Sequence, residues 1–419
     1  MSNENPIETQ VDISTTQNSN TKEKMTMSEI NRNLEKDVSL RVSIIGGGNA
    51  GNQTIVKGYD AGFPVFAYNT SVKDLSDVVV NEHIPSFLFG DEARGAGKSR
   101  AKAKELLRVN GQKLFETPSF IHMIEDSDIV FGVGSTAGGT ASGTMPDILN
   151  ILSQMYPSKI FIYYGILPKI ADSIMAQGNT VACMDEINKL PIGCMLDDLS
   201  FYEDMPNDKA YEEIGKHIVE SIKVIAGKYL KHSGAGMIDE NDMQVIVSQR
   251  GYMAVYMVND ISPAMLEKKS IQSMVIDKIM NSPSAKIQKD GIIKEMGVIV
   301  NCPAEMMETS RTGNYTELTN YVGTPLAIFE NYAVTESSHG QIIVILSGMN
   351  LPYSRIAECQ RIIEKHEEML KNQKSVTLEA EAKKVSFLDE CIDKSKIGNN
   401  RGAADEETKK NVLGSFFGN

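Results

Sequence analysis

Residues 134–149 read GSTAGGTASGTMPDIL and follow the apolar run DIVFGV (128–133). A dense series of Gly, Ser, Thr and Ala stands between a β-rich run and the amphipathic segment PDILNILSQM (146–155). That arrangement marks a strand-to-helix turn. At such a turn, backbone N–H groups and hydroxyls form a concave array that wraps an anion without needing a lysine. A flexible linker of the same composition would lack strong secondary-structure signals on both flanks.

The same rhythm extends outward from this turn. Apolar runs RVSII (41–45), PVFAY (64–68), KIFIYYGIL (159–167) and PIGCML (191–196) alternate with helical patterns such as SRAKAKELLRV (99–109) and ADSIMAQGNTVACMDEINKL (171–190). This alternation predicts a parallel sheet with helices on both faces, whose ligands sit beyond the carboxyl ends of the strands. A long helical pattern follows from 208, with Tyr211, Ile214, Ile218, Ile222, Ile225 and Tyr229 on one face. After Gly234-Ala-Gly236, a helical stretch near 260–281 precedes EMGVIVNC (295–302), LAIFENYAV (326–334) and QIIVILSG (341–348), which read as a smaller α+β domain. The expected division is an arm too polar to order (1–38), a ligand-binding domain (39–207), a central helix (208–233), a second domain (234–351), a C-terminal helix (352–374) and a flexible tail (375–419).

A second glycine loop, IIGGGNAGNQTIV (44–56), leaves the first strand. Gly46, Gly48 and Gly51 satisfy the dinucleotide fingerprint G-x-G-x-x-G in the right context. The acidic residue that should end the next strand is missing: PVFAY runs into Asn69, and the first carboxylate is Asp74. At this point a nicotinamide enzyme is weakened and still open. Two glycine loops on separate strands of one sheet instead suggest a polyphosphate held from two sides. Gly95-Ala-Gly97-Lys98-Ser99 imitates the end of a P-loop, but position 92 holds Glu92 where that motif needs glycine.

Composition limits the remaining classes. Of 419 residues 41% are hydrophobic and 23% charged, as in a soluble globular protein. No apolar stretch approaches the roughly 20 residues that cross a bilayer, and MSNENPIETQ has no export-signal pattern. The five cysteines (183, 194, 302, 359, 391) and six histidines form no metal-ligand spacing, which argues against a zinc site. A net charge of −13 argues against broad binding to nucleic acid or anionic membrane, so a DNA connection would run through a partner.

The motifs together resemble the tubulin/FtsZ superfamily over nearly all of residues 40–372. Gly48-Asn-Ala-Gly-Asn-Gln53 is similar to the tubulin loop G-Q-x-G-N-Q, and Gly138-Gly-Thr-Ala-Ser-Gly143 to the signature G-G-T-G-[ST]-G. Phe66-Ala-Tyr-Asn-Thr70 and Gly95-Ala-Gly97 resemble the second and third loops. NTSVKDL (69–75), GAGKSRAKA (95–103), LPKIADSI (167–174), MLDD (195–198), IDEND (238–242) and SGMNLP (347–352) look most like the plasmid and phage group called TubZ.

The resemblance implies an α/β tubulin/FtsZ fold: a Rossmann-like GTP-binding sheet, a central helix and a smaller α+β domain. It also implies roles for particular residues. Gly47, Gly48, Asn49 and Ala50 would contact the α/β-phosphates of GTP or GDP, with Gln53 towards the base. Asn69 would sit at ribose or phosphates, Gly97 and Lys98 near the γ-phosphate, and Ala137, Gly138, Gly139, Thr140, Ala141, Ser142 and Gly143 around the β/γ-phosphates. Asp198 would accept from guanine N1 and N2, and Tyr211 would stack on the base. Mg²⁺ would be held through phosphates and water rather than by protein ligands.

Asp239 and Asp242, in GMIDENDMQV, would be the catalytic carboxylates, entering the pocket of the next subunit, though an acidic stretch is by itself an ordinary solvated loop. The implied protein is a GTPase that forms head-to-tail filaments with itself in a bacterial cytoplasm, moving plasmid or phage DNA or positioning a replicating phage. A DNA-binding adaptor would dock on the C-terminal helix or tail, whose end (414–419) carries aromatics; a merely solvated tail is the alternative. Two departures stand out. Ala141 replaces the family's middle glycine, so a need for positive φ there would leave a filament subunit with weak hydrolysis. The Asn expected one turn after Tyr211 is Gly215, beside Lys216.

Overall fold

The computed structural model describes residues 40–78, 83–90, 95–231, 237–288, 291–311, 314–373 and 406–417. The arm expected over 1–38 lies outside them. The first half of the chain alternates strands with helices, two of them between β3 and β4: β1 (Val42–Gly47), α1 (Gly48–Asp60), β2 (Val65–Asn69), α2 (Val72–Val78), β3 (Ser86–Leu88), α3 (Arg100–Phe115), α4 (Pro118–Glu125), β4 (Ile129–Ser135), α5 (Thr140–Met155), β5 (Ile160–Leu167), α6 (Ile174–Lys189) and β6 (Gly193–Asp198). After a 3₁₀ turn at Leu199–Tyr202 come α7 (Asn207–Ile225), α8 (Glu240–Val247), β7 (Gly251–Ile261), α9 (Pro263–Leu266), α10 (Ile271–Met280) and β8 (Ile293–Cys302). The chain continues through α11 (Ala304–Ser310), α12 (Thr316–Val322), β9 (Pro325–Val334), β10 (Gly340–Met349), α13 (Tyr353–Gln373) and α14 (Glu406–Phe417).

The described strands make one ten-stranded sheet, ordered β3-β2-β1-β4-β5-β6-β7-β10-β8-β9. From β3 to β6 every pairing is parallel. β7 extends the sheet from β6 through two residue pairs, Gly193 with Gly251 and Cys194 with Tyr252. β10 then runs antiparallel to both β7 and β8, and β9 closes the edge parallel to β8. The second α+β region therefore shares its sheet with the first rather than building its own.

Strand alternation divides the core between the two faces of this sheet. In β4, Val130 packs towards α3, α4, α5 and α6, whose Leu107, Phe120, Ile148 and Cys183 share its cluster. Ile129, Phe131 and Val133 pack towards α1, α7 and α8, with Ile55, Ile214, Ile218 and Ile246. Cys183, Cys194, Cys302 and Cys359 are buried free thiols. Burial pushes the Cys359 thiol up to about 11. Among the described residues, no helix is long and apolar enough to cross a membrane.

Three expectations need correction. The central helix, expected to reach 233, stops at Ile225. Gly227 takes φ +78, its N–H bonds Val224 O, and the Lys228 N–H bonds Lys223 O. This is a Schellman stop, in which a left-handed glycine satisfies the last carbonyls and turns the chain. Tyr229 still packs on the apolar face, so the periodicity outlasts the helix. The stretch near 260–281 is not one helix: its first two residues finish β7, and two short helices, α9 and α10, follow.

The third correction concerns the tail. Residues 374–405 lie outside the described set, but Glu406–Phe417 is a helix seated on its own molecule. Val412, Leu413, Phe416 and Phe417 pack against the core cluster of the α3–α6 face. Phe417 lies 6.0 Å from Phe115, and Lys409 sits 4.2 Å above the Tyr156 ring and 3.6 Å from Glu125. Gly111 makes the notch: a Cβ there would stand 2.6 Å from the Phe417 ring. Glycine inside a helix costs about 0.5–1 kcal/mol relative to alanine, and here the ring occupies the freed space. Gly111→Ala should therefore strengthen α3 yet dislodge the tail, and Phe417→Ala should dislodge it too. Limited proteolysis should clip both variants at the tail faster than the parent chain, with the remaining fragment equally resistant.

Candidate functional site

The loops beyond the carboxyl ends of β1, β2 and β4 meet a fourth segment, 95–99, that leads into α3. β1 hands over to α1 at Gly48, which takes φ +66. A Cβ on Gly48 would lie 3.5 Å from Ala141 N and Thr140 Cβ, so α1 and α5 begin side by side. A Cβ on Gly139 would fall 2.7–2.9 Å from backbone atoms of Lys98 and Ser99, so α3 begins against α5 as well. The first turns of three helices thus converge. Unpaired N–H groups and the positive ends of their dipoles make such a place an anion site.

The loop before α3 carries three left-handed residues, Gly95 (φ +60), Gly97 (φ +59) and Lys98 (φ +64). A lysine held there is strained, and such strain gathers at ligand clamps. Cβ atoms added to Gly97 or Gly138 would meet nothing within 4 Å, so both glycines border open space. The cradle is narrow where the loops touch and open where a polyphosphate would enter.

Buried polar groups hold the loops from behind. Thr70 Oγ1 lies 2.8 Å from Thr140 Oγ1 and accepts from Ala96 N, joining three loops at one hydroxyl. Asn69 Oδ1 accepts from the N–H groups of Thr70 and Ser71. Asn52, with its amide turned to satisfy both ends, donates to Gly46 O and accepts from Asn69 Nδ2. On the other side, Asn179 donates to the carbonyls of Lys98, Ala137 and Gly138. Arg100 donates to Ser142 O and pairs with Glu186 at 2.7 Å. Lys104 joins this network; burial works against its charge, but Asp147 and Glu186 hold its pKa above the ordinary lysine value.

The acidic pair stands at the far end of the molecule. α8 leads into β7, whose first residue pairs with Gly193 at the start of β6, the edge opposite the phosphate-type loops. Arg41, just before β1, is held upward chiefly by its hydrogen bond to Asp128, and Glu240 of α8 contributes as well. Asp239 caps α8: its Oδ1 accepts from Asp242 N at 2.8 Å, and Asp242 Oδ2 accepts from Asp239 N at 3.3 Å. This reciprocal capping box fixes both carboxylates.

The "Tubulin like" family model matches residues 100–362. The chain belongs to this tubulin-like family. The tubulin-like protein TubZ of a Clostridium botulinum C phage is 25% identical over 378 residues, 89% of this chain and 96% of that protein. The solved structure of C-terminally truncated TubZ from Clostridium botulinum phage c-st superposes with a TM-score of 0.61 at 22% identity, covering 78% of this chain and 97% of that one. A GTPγS-form protofilament of Bacillus thuringiensis serovar israelensis TubZ gives 0.66 at 14%, covering 81% and 95%. These superpositions match the tubulin/FtsZ fold expected from the motifs.

Within this tubulin-like frame the cradle gathers Gly47, Gly48, Asn69, Gly97, Lys98 and 137–143. Asn49 and Gln53 are exposed on α1 beside half-buried Ala50. Tyr211 reaches loop 134–139, where its hydroxyl interacts with Ser135; burial raises its pKa and that hydrogen bond opposes the rise. Asp198 is not brought to this group. Consecutive strand residues face opposite sides: Asp197 turns to α7 and meets His217 at 2.8 Å. Asp198 turns away, its oxygens taken by Ser200 N and by Arg355 Nε of α13 at 2.8 Å. Gly215 packs against the Lys57 side chain, while Lys216 pairs with Glu212 and Glu213.

Ala141 needs no positive φ, because it lies in the first turn of α5. Its methyl occupies the space left by Gly134, where a Cβ would come within 2.5 Å of it. Ala141→Gly should consequently bring no gain in turnover and should destabilise the fold by about 0.5–1 kcal/mol, readable as a lowered melting temperature.

Asn52, Thr70 and Arg100 lie inside motifs whose sequence assigns them no role of their own, and Asn179 lies in none of those motifs. For Asn179 a signal existed: it shares the buried face of α6 with Ala176, Thr180, Cys183 and Ile187. A polar residue on an apolar stripe asks for a partner.

Proposed function

We propose that this chain is a GTP-hydrolysing cytoskeletal protein that polymerises head to tail, with each catalytic site shared by two subunits. The observation that carries this reading is the placement of the phosphate cradle and the acidic capping box at opposite ends of the parallel strands of the sheet. A site split this way makes a heterologous contact, which propagates as a filament unless it closes. Related proteins bear the names TubZ and CetZ, and one solved neighbour is titled a GTPγS-form protofilament.

Loop amides and three helix N-termini would hold the triphosphate, with Lys98 adding a cation beside them. Asp239 and Asp242 of the next subunit would orient a water and take its proton as it attacks the γ-phosphorus. The bond to the β–γ bridging oxygen then breaks, leaving GDP and phosphate. Positioning and electrostatics dominate phosphoryl transfer, so an isolated subunit stays nearly inactive. Mg²⁺ would be held by phosphates and water, and would neutralise their charge. Tyr211 and Gln53 remain to receive the base. Filaments of this kind would segregate plasmid or phage DNA through an adaptor.

The weak-hydrolysis alternative loses its motive, since Ala141 sits unstrained. Phosphate release measured against protein concentration tests the reading. Release should climb steeply above a critical concentration, and a rate per molecule independent of concentration would sink the shared site.

A further inference from the structure

Asn179 is 1% exposed and lies on the buried face of α6. Its Nδ2 donates to Lys98 O at 2.9 Å, Ala137 O at 2.9 Å and Gly138 O at 3.3 Å. Two hydrogens thus serve three carbonyls from two loops that are about forty residues apart in sequence. In a planar trans peptide the carbonyl and the following N–H point in opposite directions. Drawing Ala137 O and Gly138 O back onto Asn179 therefore sends the N–H groups of Gly138 and Gly139 the other way. Open space borders this turn at Gly138, where a Cβ would meet nothing within 4 Å, while Gly139 packs against Lys98 and Ser99. The backbone carbonyl of Asn179 accepts from Arg100 at 3.3 Å, and Arg100 also donates to Ser142 O at 2.5 Å.

We propose that Asn179 is the positioning residue that aims the phosphate-binding amides and keeps loops 95–99 and 136–143 in register. It does not touch the nucleotide; it acts through the peptides it holds. The inference rests on the nucleotide reading above. It adds that affinity for the terminal phosphates is tuned from behind the loops by a carboxamide on a neighbouring helix, beside the Ser142 hydroxyl that also donates to Gly138 O.

The sharpest variant is Asn179→Asp, equal in size but with both donors replaced by acceptors facing three carbonyl oxygens. Fluorescent GTP, GDP and GMP analogues are titrated against parent protein, Asn179→Asp, Asn179→Ala and Asn179→Ser, with circular dichroism as the check on folding. Asn179→Asp should weaken the triphosphate about thirtyfold, as for the loss of a charge-assisted hydrogen bond or two, and the monophosphate less than about threefold. Asn179→Ser, which keeps one donor, should bind the triphosphate more tightly than Asn179→Ala.

Equal weakening of all three nucleotides overturns the proposal, because general loosening of the fold does that. Unchanged triphosphate affinity overturns it too, as does identical behaviour of the Ser and Ala variants. If Asn179→Asp fails to fold, the Ser–Ala comparison decides alone. Parent protein that binds none of the three nucleotides would instead take down the functional reading itself.

Discussion

Asp239→Asn and Asp242→Asn are each expected to lower phosphate release from assembled protein by about 10²–10³-fold, with GTP binding and melting temperature nearly unchanged. The choice of asparagine matters because both residues also build the cap of α8. Asn caps a helix about as well as Asp, whereas Asp239→Ala should cost about 1 kcal/mol of stability. Asparagine thus removes the proton acceptor and keeps the cap, separating chemistry from folding. Filaments of the asparagine variants should also last longer, since bound GTP persists. The assay is phosphate release at a fixed concentration well above assembly, beside light scattering and a thermal melt. Rates within about threefold of the parent would remove both carboxylates from the mechanism.

Arg355→Met should destabilise the fold by about 3 kcal/mol, the low end for breaking a buried ion pair. Arg355 is 7% exposed, and besides Asp198 it holds Pro168 O at 2.6 Å, so it ties α13 to the ends of β5 and β6. Its loss leaves the Asp198 carboxylate nearly buried without a counter-charge. The companion variant Asp198→Asn decides what that aspartate does. As a tether, Asp198→Asn lowers the melting temperature and leaves the preference for GTP over ATP intact. As a guanine reader, it would erode that preference by about tenfold or more, because a missing buried partner is heavily penalised. The geometry favours the tether, and a competition titration with both nucleotides distinguishes the two.

Much of this architecture is legible in the chain itself. The runs that became β1, β4, β5 and β6 are apolar on both faces, and the glycine loops leaving β1 and β4 announce their turns directly. β7 is hard to read, because Gly251–Ile261 is rich in Met and Tyr and buried on both sides over much of its length, leaving little polar alternation. The stop of α7 turns on one left-handed glycine, while the apolar spacing runs on past it. The docking of α14 depends on a notch at Gly111, roughly three hundred residues earlier, which local periodicity cannot reveal.

The site divides along the same line. Backbone-built parts were visible, since a phosphate cradle is mostly glycine and small hydroxyls. The side chains behind it were hidden, because Asn179 finds Lys98 across 81 positions. Asp198 shows a third difficulty. A single step of register exchanges the faces of a strand, so two adjacent aspartates cannot be told apart until the strand is seen.

The methyl of Ala141 lodged over Gly134 makes these two positions epistatic. A side chain introduced at 134 should be tolerated only after 141 has become glycine, whereas the reverse order should stall at an inactive intermediate. Homologues are expected to keep glycine at one of the two positions at least, and a library randomised at the pair should return no member with side chains at both.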